Sequence, residues 1–365
     1  MAEPSSIARA ARLQEAGLLL VVLLLGALIA LSADTIVVRG QPANAFLRWD
    51  NLLANVATPM SWMAIMALGA TAVIVSGGID ISVGSVFGLS ALGTAAVLQR
   101  MPADAALPAA LGVAAAVALG IGLLCGLING ALVVGLRLHP FIVTLGTMSI
   151  FRGIGLVSVE TKTLPTLGRQ LPDSFTEGFV GWRWSFGAGP AAGFVQPVPM
   201  LVMLGGAVFF WLLLAHTVTG REIYAVGGNE TAARYAGLRV GAVKLRVYAL
   251  SGLCAGLAGL LSCGFYQSAN TATGEGYELA VIAAAVVGGA SLLGGRGTAL
   301  GAVLGALVIK LIENGIDILR RVDLGLFSFS VSKEYGQIII GVAILLAVAI
   351  DRLSERWRGA GGLRG

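Results

Sequence analysis

Few residues in this chain are equipped for chemistry, and most of them stand in apolar company. Asp80 lies in the run Ile74-Val-Ser-Gly-Gly-Ile-Asp-Ile-Ser-Val-Gly-Ser-Val-Phe-Gly88, between two long apolar stretches. A carboxylate placed there is costly, which makes it a functional candidate on a polar route. A carboxylate that caps the next helix through backbone N–H groups is the structural alternative, and the two roles are compatible. Glu313 and Asp317 stand at i and i+4 on one helix face. Paired carboxylates suit hydrolysis, but Lys310 and Arg320 or Arg321 lie a turn away and neutralise them, so structural pairing is expected. Asn314, between them, is retained as a pathway group. The two histidines are far apart, and Cys125, Cys254 and Cys263 sit in apolar runs without ligand spacing, so no metal site is expected. His139, just before Pro140, reads as an interfacial residue rather than a base. No Gly-Lys dipeptide occurs, which excludes a phosphate loop. No Gly-x-Ser-x-Gly elbow stands near a histidine and an acid. The chain is therefore expected to carry no cofactor. Any work it does draws on an ion gradient, or on ATP hydrolysed by a separate subunit.

The elements that hold these residues are membrane helices. Of 365 residues 57% are hydrophobic and 12% charged, against about 25% charged in soluble domains. The 52 glycines suit helices packed through small residues. No basic patch with interleaved aromatics appears, so nucleic acid is not an expected partner, whereas membrane lipid is. With about 20 apolar residues needed per span, ten segments are expected: 17–38, 53–76, 80–98, 106–135, 140–158, 199–218, 245–267, 277–293, 297–319 and 335–351. The first follows Arg9 and Arg12 and reads as a retained span rather than a secretory signal. An all-α polytopic bundle follows, with broken or re-entrant glycine-rich segments. The distribution of Lys and Arg places both termini inside, with residues 1–16 and 352–365 as cytoplasmic tails around a transmembrane domain 17–351. Arg320 and Arg321 are the main exceptions.

Along the spans and between them, four stretches stand out. Asn129, in Gly126-Leu-Ile-Asn-Gly130, is suited to bonding across helices or to a substrate hydroxyl. Pro140 marks a helix start, and Thr144, Thr147 and Ser149 have carbonyls of their own helix within reach. Residues 159–199 form a long outer loop with five aromatics from Phe175 to Phe186. Such loops are commonly functional; this one is suited to receive a soluble binding protein, or to anchor Trp182 and Trp184 at the headgroups. Residues 219–245 are polar, with Arg221, Arg234, Arg239 and Lys244, then Arg246, against Glu222 and Glu230, so they belong in the cytoplasm. Asn229 or Thr231 can cap a two-turn helix there, Gly237 can stop it, and Ala232, Ala233 and Ala236 give it a small face for a partner's groove.

Ala232-Ala233-x-x-x-Gly237, with Glu230 just before it, resembles the coupling motif of ABC importer permeases. Gly220-Arg-Glu-Ile-Tyr-Ala-Val-Gly-Gly-Asn-Glu230 resembles their ribose/xylose/arabinose branch. So do Gly77-Gly-Ile-Asp-Ile-Ser82, Pro140-Phe-Ile-Val-Thr-Leu-Gly-Thr-Met148, Tyr277-Glu278 and Gly288-Gly-Ala-Ser-Leu-Leu-Gly-Gly-Arg-Gly297; the likeness covers roughly residues 50 to 350. The resemblance implies a permease of the bacterial inner membrane that carries a monosaccharide or related polyol. Its implied partners are an ABC ATP-binding subunit holding ATP and Mg2+, a periplasmic or lipid-anchored sugar-binding protein, and a second permease copy or a homologous permease. It marks Glu222, Gly227, Asn229, Glu230, Ala232, Ala233 and Gly237 for coupling. Asp80, Ser82, Asn129, Thr147, Tyr277, Glu278 and Asn314 are the candidates for the pathway. The rival is an ion-coupled secondary transporter, for which Asp80 and Glu278 are the tempting titratable groups. The glycine pairs and serine of 287–297 echo Ser76 to Ser85, which hints at an internal duplication.

Overall fold

The computed structural model describes residues 6–38, 41–159, 162–187, 193–319, 321–323, 328–330, 335–343, 345–346 and 349. Its principal helices are α1 (Ser6–Ser32), α2 (Thr58–Val75), α3 (Val83–Leu98), α4 (Leu107–Leu136) and α5 (Pro140–Val157). After a single turn α6 (Asp173–Phe175) come α7 (Pro197–His216), α8 (Val218–Gly228), α9 (Glu230–Tyr235), α10 (Val240–Tyr266), α11 (Tyr277–Val287) and α12 (Ala299–Ile318). A π-helical turn, Asn51–Ala57, leads directly into α2. The tenth expected segment is helical over 335–343. Prolines stand in the first turns of α4, α5 and α7, where a missing N–H is harmless.

Among the described residues, seven helices are long and apolar enough to cross a membrane, the π turn and α2 counting as one. The first differs from expectation. It starts at Ser6 rather than 17 and stops at Ser32, because Thr35–Val38 turns back to pair with Gln41–Asn44 as a β-hairpin. The segment expected at 277–293 is also shorter, since α11 stops after 11 residues at Gly288. At 1.5 Å per residue it rises about 16 Å, roughly half of a bilayer's hydrocarbon core. This is the broken helix that the glycine pairs predict. Both breaks end their helices in the same way. Gly78 N–H reaches back to Val73 and Gly77 to Ile74, while Ala290 reaches Ala285 and Gly289 reaches Val286. Gly77 and Gly289 take the left-handed conformation this ending requires. The likeness of the two breaks extends the echo seen in the sequence to the backbone.

Every residue of α2 is buried, as suits a helix apolar all round. It packs with α10, which also crosses α3 and α4. The crossing with α4 is backbone on backbone: a Cβ on Gly252 would collide with the Gly122 carbonyl, and one on Gly126 with that of Tyr248. Around this centre α4, α5 and α7 turn large apolar side chains outward, Leu124, Ile142 and Leu201 among them.

The described residues of the stretch 159–199 form more than a plain loop. Thr163–Leu164 pairs with Ala269–Asn270, and Trp184–Phe186 pairs with Gly193–Val195. Gln99 accepts from the Thr166 N–H at 3.0 Å. Phe175 is fully buried, whereas Trp182 and Trp184 are exposed, so the aromatics divide between packing and surface.

Candidate functional site

The polar stretch at 219–245 holds two helices and the start of a third rather than a loop around one. Thr217 caps α8 by accepting from Gly220 N–H (3.0 Å), and Asn229 caps α9 by accepting from Ala232 N–H (2.9 Å). Gly237 ends α9 with φ of 85°. Glu222 on α8 bonds Arg246 at 2.9 Å; Glu230 on α9 accepts from Lys244 at 2.7 Å and from Arg234 at 2.9 Å. Both short helices are thus strapped to the base of α10. The hydrogen bond from Lys244, chief among the causes, holds the Glu230 carboxyl below its ordinary range, against a smaller opposing effect of burial.

The small face of α9 is divided. Ala232, Ala236 and Gly237 are exposed beside Thr231 and Tyr235, but Ala233 is buried in the chain's own core. Ala233 therefore seats α9 and offers no surface, because a six-residue helix cannot show all its faces outward.

Gly227 does something the sequence did not suggest. It lies where the carbonyl of Val75, at the end of α2, meets Gly294 and Gly295 of the second break, and any Cβ would collide with that carbonyl. Gly295 N–H bonds Val75 O at 2.8 Å, and Tyr224 donates to Gly297 O at 2.6 Å. So α8 touches both helix breaks at once. Tyr224 was not among the expected residues; an aromatic in a polar stretch gives no sign of its distant partner.

Asp80 forms no ion pair among the described residues. Its Oδ1 accepts from Ser82 N–H (3.1 Å) and Ser82 Oγ (2.7 Å), and its Oδ2 accepts from Ser251 Oγ (2.9 Å). The chain continues as Asn129 Nδ2 donates to Ser82 Oγ at 2.7 Å and Thr147 Oγ1 to Asn129 Oδ1 at 2.6 Å. Thr147 thus reaches across helices instead of bonding only its own carbonyls. All donors run toward the carboxylate, and Asp80, Ser82, Asn129, Thr147 and Ser251 are all buried. The first break is pinned to α4, α5 and α10 by one satisfied network.

Tyr277 and Glu278 begin α11 against α3. The Tyr277 ring stacks on Phe87 at 5.2 Å, and its hydroxyl accepts from Trp62 Nε1 at 3.3 Å. Glu278 pairs with Arg152 at 3.4 Å. Arg152, an ionisable residue within a span, was visible in the sequence and its role was missed. Asn314 stands apart from the other candidates, paired with Asn51 at the end of the bundle opposite α8 and α9. His139 caps α5, its Nδ1 accepting from Phe141 N–H at 3.3 Å. Lys310 neutralises Glu313 at 2.9 Å. No metal-binding cluster occurs among the described residues.

Comparison with known proteins adds to this geometry. A family model described as "Branched-chain amino acid transport system / permease component" matches residues 52–348. The ribose import permease of Escherichia coli strain K12 is 38% identical over 308 residues, 84% of this chain and 87% of that protein. The D-allose transport system permease of the same strain is 35% identical over 324 residues, 89% and 90% of the two chains. Its galactose/methyl galactoside import permease is 35% identical over 348 residues, 93% and 95%.

Proposed function

The chain belongs to the family of branched-chain amino acid transport system permease components, and we propose that it is the membrane permease of an ATP-driven importer of a monosaccharide or related polyol. The sugar reading rests on relatives named for ribose, allose and galactose, each aligned along most of both chains. The observation that carries the coupling is the contact of α8 with both helix breaks, through Gly227 and through Tyr224 to Gly297. A push on α8 and α9 from an ATPase seated over Ala232 and Ala236 would be felt at Val75 and Gly295 directly. ATP and Mg2+ belong to that subunit. Residues 219–245 and both termini then face the cytoplasm of a bacterial cell, and the opposite end, with the stretch 159–199, faces a binding protein. A second permease, identical or homologous, covers part of the apolar surface left open here.

An ion-coupled carrier needs titratable groups that gain and lose protons along the route. Asp80 is held by three donors and Glu278 by Arg152, which leaves that rival without support. The test uses proteoliposomes holding the permease with its ATPase and binding protein. Sugar uptake is expected to require ATP and to survive collapse of proton and sodium gradients. Uptake that proceeds without ATP and stops with ionophores would refute the proposal.

A further inference from the structure

The helix α11 is gripped where it runs into the second break, by Gly227 and Tyr224 of α8, and its other end is fastened as well. Between the two ends it is a short rigid body. A Cβ on Gly305 of α12 would collide with the Ala284 carbonyl, and one on Gly288 with that of Gly301, so α11 and α12 lie backbone on backbone. Glycines in the left-handed conformation flank the helix, Gly274 and Gly276 before it and Gly289 after it. Such turns absorb a change of angle without bending the helix itself. A shift imposed on the second break is therefore carried over the roughly 16 Å of α11 to Tyr277 and Glu278.

At that far end, residues 273–278 rest on a bare face of α3. Gly88 lies against the Thr273 carbonyl, and Gly84 against the Gly274 carbonyl and the Glu278 carboxylate, where any Cβ would collide. Arg152 of α5 adds the charged contact: its Nη2 donates to Gly274 O and to Glu278 Oε2, both at 3.4 Å. One guanidinium nitrogen thus ties the turn and the first residues of α11 to α5. Arg152 stands about 18 Å along α5 from Pro140, inside the span, where an ionisable side chain is a functional candidate by default. The pair is built to part. Its 3.4 Å is longer than the about 2.7–2.9 Å of a tight charge-assisted bond. The two side chains are 26% and 14% exposed, so separation leaves neither charge sealed from water. The Asp80 carboxylate, held at 2.7 to 3.1 Å in a buried network, has no such freedom.

We propose that Arg152 is a positioning residue for coupling: its pair with Glu278 fastens the far end of α11 in the resting permease and gives way when an ATPase stroke on α8 shifts the second break. The proposal rests on the ATP-driven import reading and deepens it, extending the path of the stroke from α8 into the membrane. A fastening of this kind keeps hydrolysis idle until the loaded binding protein arrives, because a stroke that must also break the pair is less frequent. Without it α8 moves more readily, ATP is hydrolysed in the absence of a loaded binding protein, and fewer sugars cross per ATP.

The experiment uses the complete importer in proteoliposomes, with labelled D-ribose, D-allose and D-galactose as probes. Arg152→Gln, Glu278→Gln and the two together are compared with wild type. Each single variant is expected to raise ATP hydrolysis without binding protein. Each is also expected to lower the ratio of sugar imported to ATP hydrolysed by about fivefold, the lower end of ordinary coupling between sites. The double variant is expected to be no worse than the worse single one, because both changes remove the same contact. Retention of the ATPase on the purified permease is expected to match wild type in all three. Wild-type hydrolysis and ratio in both single variants overturn the proposal, as do single effects that multiply in the double variant. Loss of the ATPase from the variants overturns it too, since the pair would then serve the fold rather than the coupling. A wild-type importer that carries none of the probes, or carries one without ATP, overturns the import reading, and the proposal falls with it.

Discussion

Tyr224→Phe removes one oxygen from the contact between α8 and the second break and leaves the ring in place. The lost bond is short, 2.6 Å from the hydroxyl to Gly297 O, and both residues are half-buried. An ordinary hydrogen bond contributes about 0.5–1.5 kcal/mol net, and a buried acceptor left unpaired costs about 1–3. Partial burial places the change near the overlap, at about 1–1.5 kcal/mol, or about five- to tenfold in an equilibrium constant. If α8 transmits the ATPase stroke, that loss loosens the tie between α8 and the break without weakening the ATPase's seat. The assay is the ratio of sugar imported to ATP hydrolysed in proteoliposomes, with retention of the ATPase measured in parallel. A ratio lowered about fivefold or more, with retention unchanged, is expected from that energy. An unchanged ratio would refute the role given to this bond.

Two further perturbations test other parts of the structure. Asp80→Asn puts an amide donor against hydroxyls that already donate, breaking a network of charge-assisted bonds worth about 1.5–3 kcal/mol each. A lower melting temperature in detergent and reduced uptake are expected, with the ATPase still bound; a wild-type melting temperature would show that the network does not hold the first break. Glu230 has a folded pKa held below its ordinary 4.5, so its strap to Lys244 adds stability above that value and loses it as pH falls through the folded pKa. The difference in melting temperature between wild type and Glu230→Gln is therefore expected to be constant from neutral pH down to about 5.5 and to shrink below 4.5. A difference that grows on acidification would contradict the strap.

Much of the architecture is legible in the chain because membrane helices need long apolar runs, and glycine pairs end them. Gly77 and Gly289 end α2 and α11 as their sequence predicts. The helix α8 was not legible. Its 11 residues include three glycines, whose helix propensity is poor. Packing overrides that preference: Gly220 lies against the Leu213 and Leu214 carbonyls and Gly227 against Val75, where no larger residue fits. The partners of the buried polar groups were hidden for a different reason. Ser251 lies 171 positions from Asp80, and Asn314 lies 263 from Asn51. A lone serine in an apolar helix does not announce a partner that far along the chain. The inward turn of Ala233 was likewise beyond a motif, since Ala232 and Ala233 look alike until α9 is placed against α10.

The most direct measurement is retention of the ATP-binding subunit on the detergent-purified permease carrying Ala232→Glu together with Ala236→Glu. Ala232 is exposed on α9 and Ala236 is exposed at its C-terminal cap, and neither side chain belongs to the core, so insertion and folding are expected to be normal. An ATPase groove closed over this face would have to bury two new charges, which is costly without waiting counter-charges. Loss of the ATPase from the purified complex and loss of ATP-dependent uptake are expected, with sugar affinity of the binding protein unchanged. An ATPase that stays bound, with uptake at the wild-type rate, would contradict it.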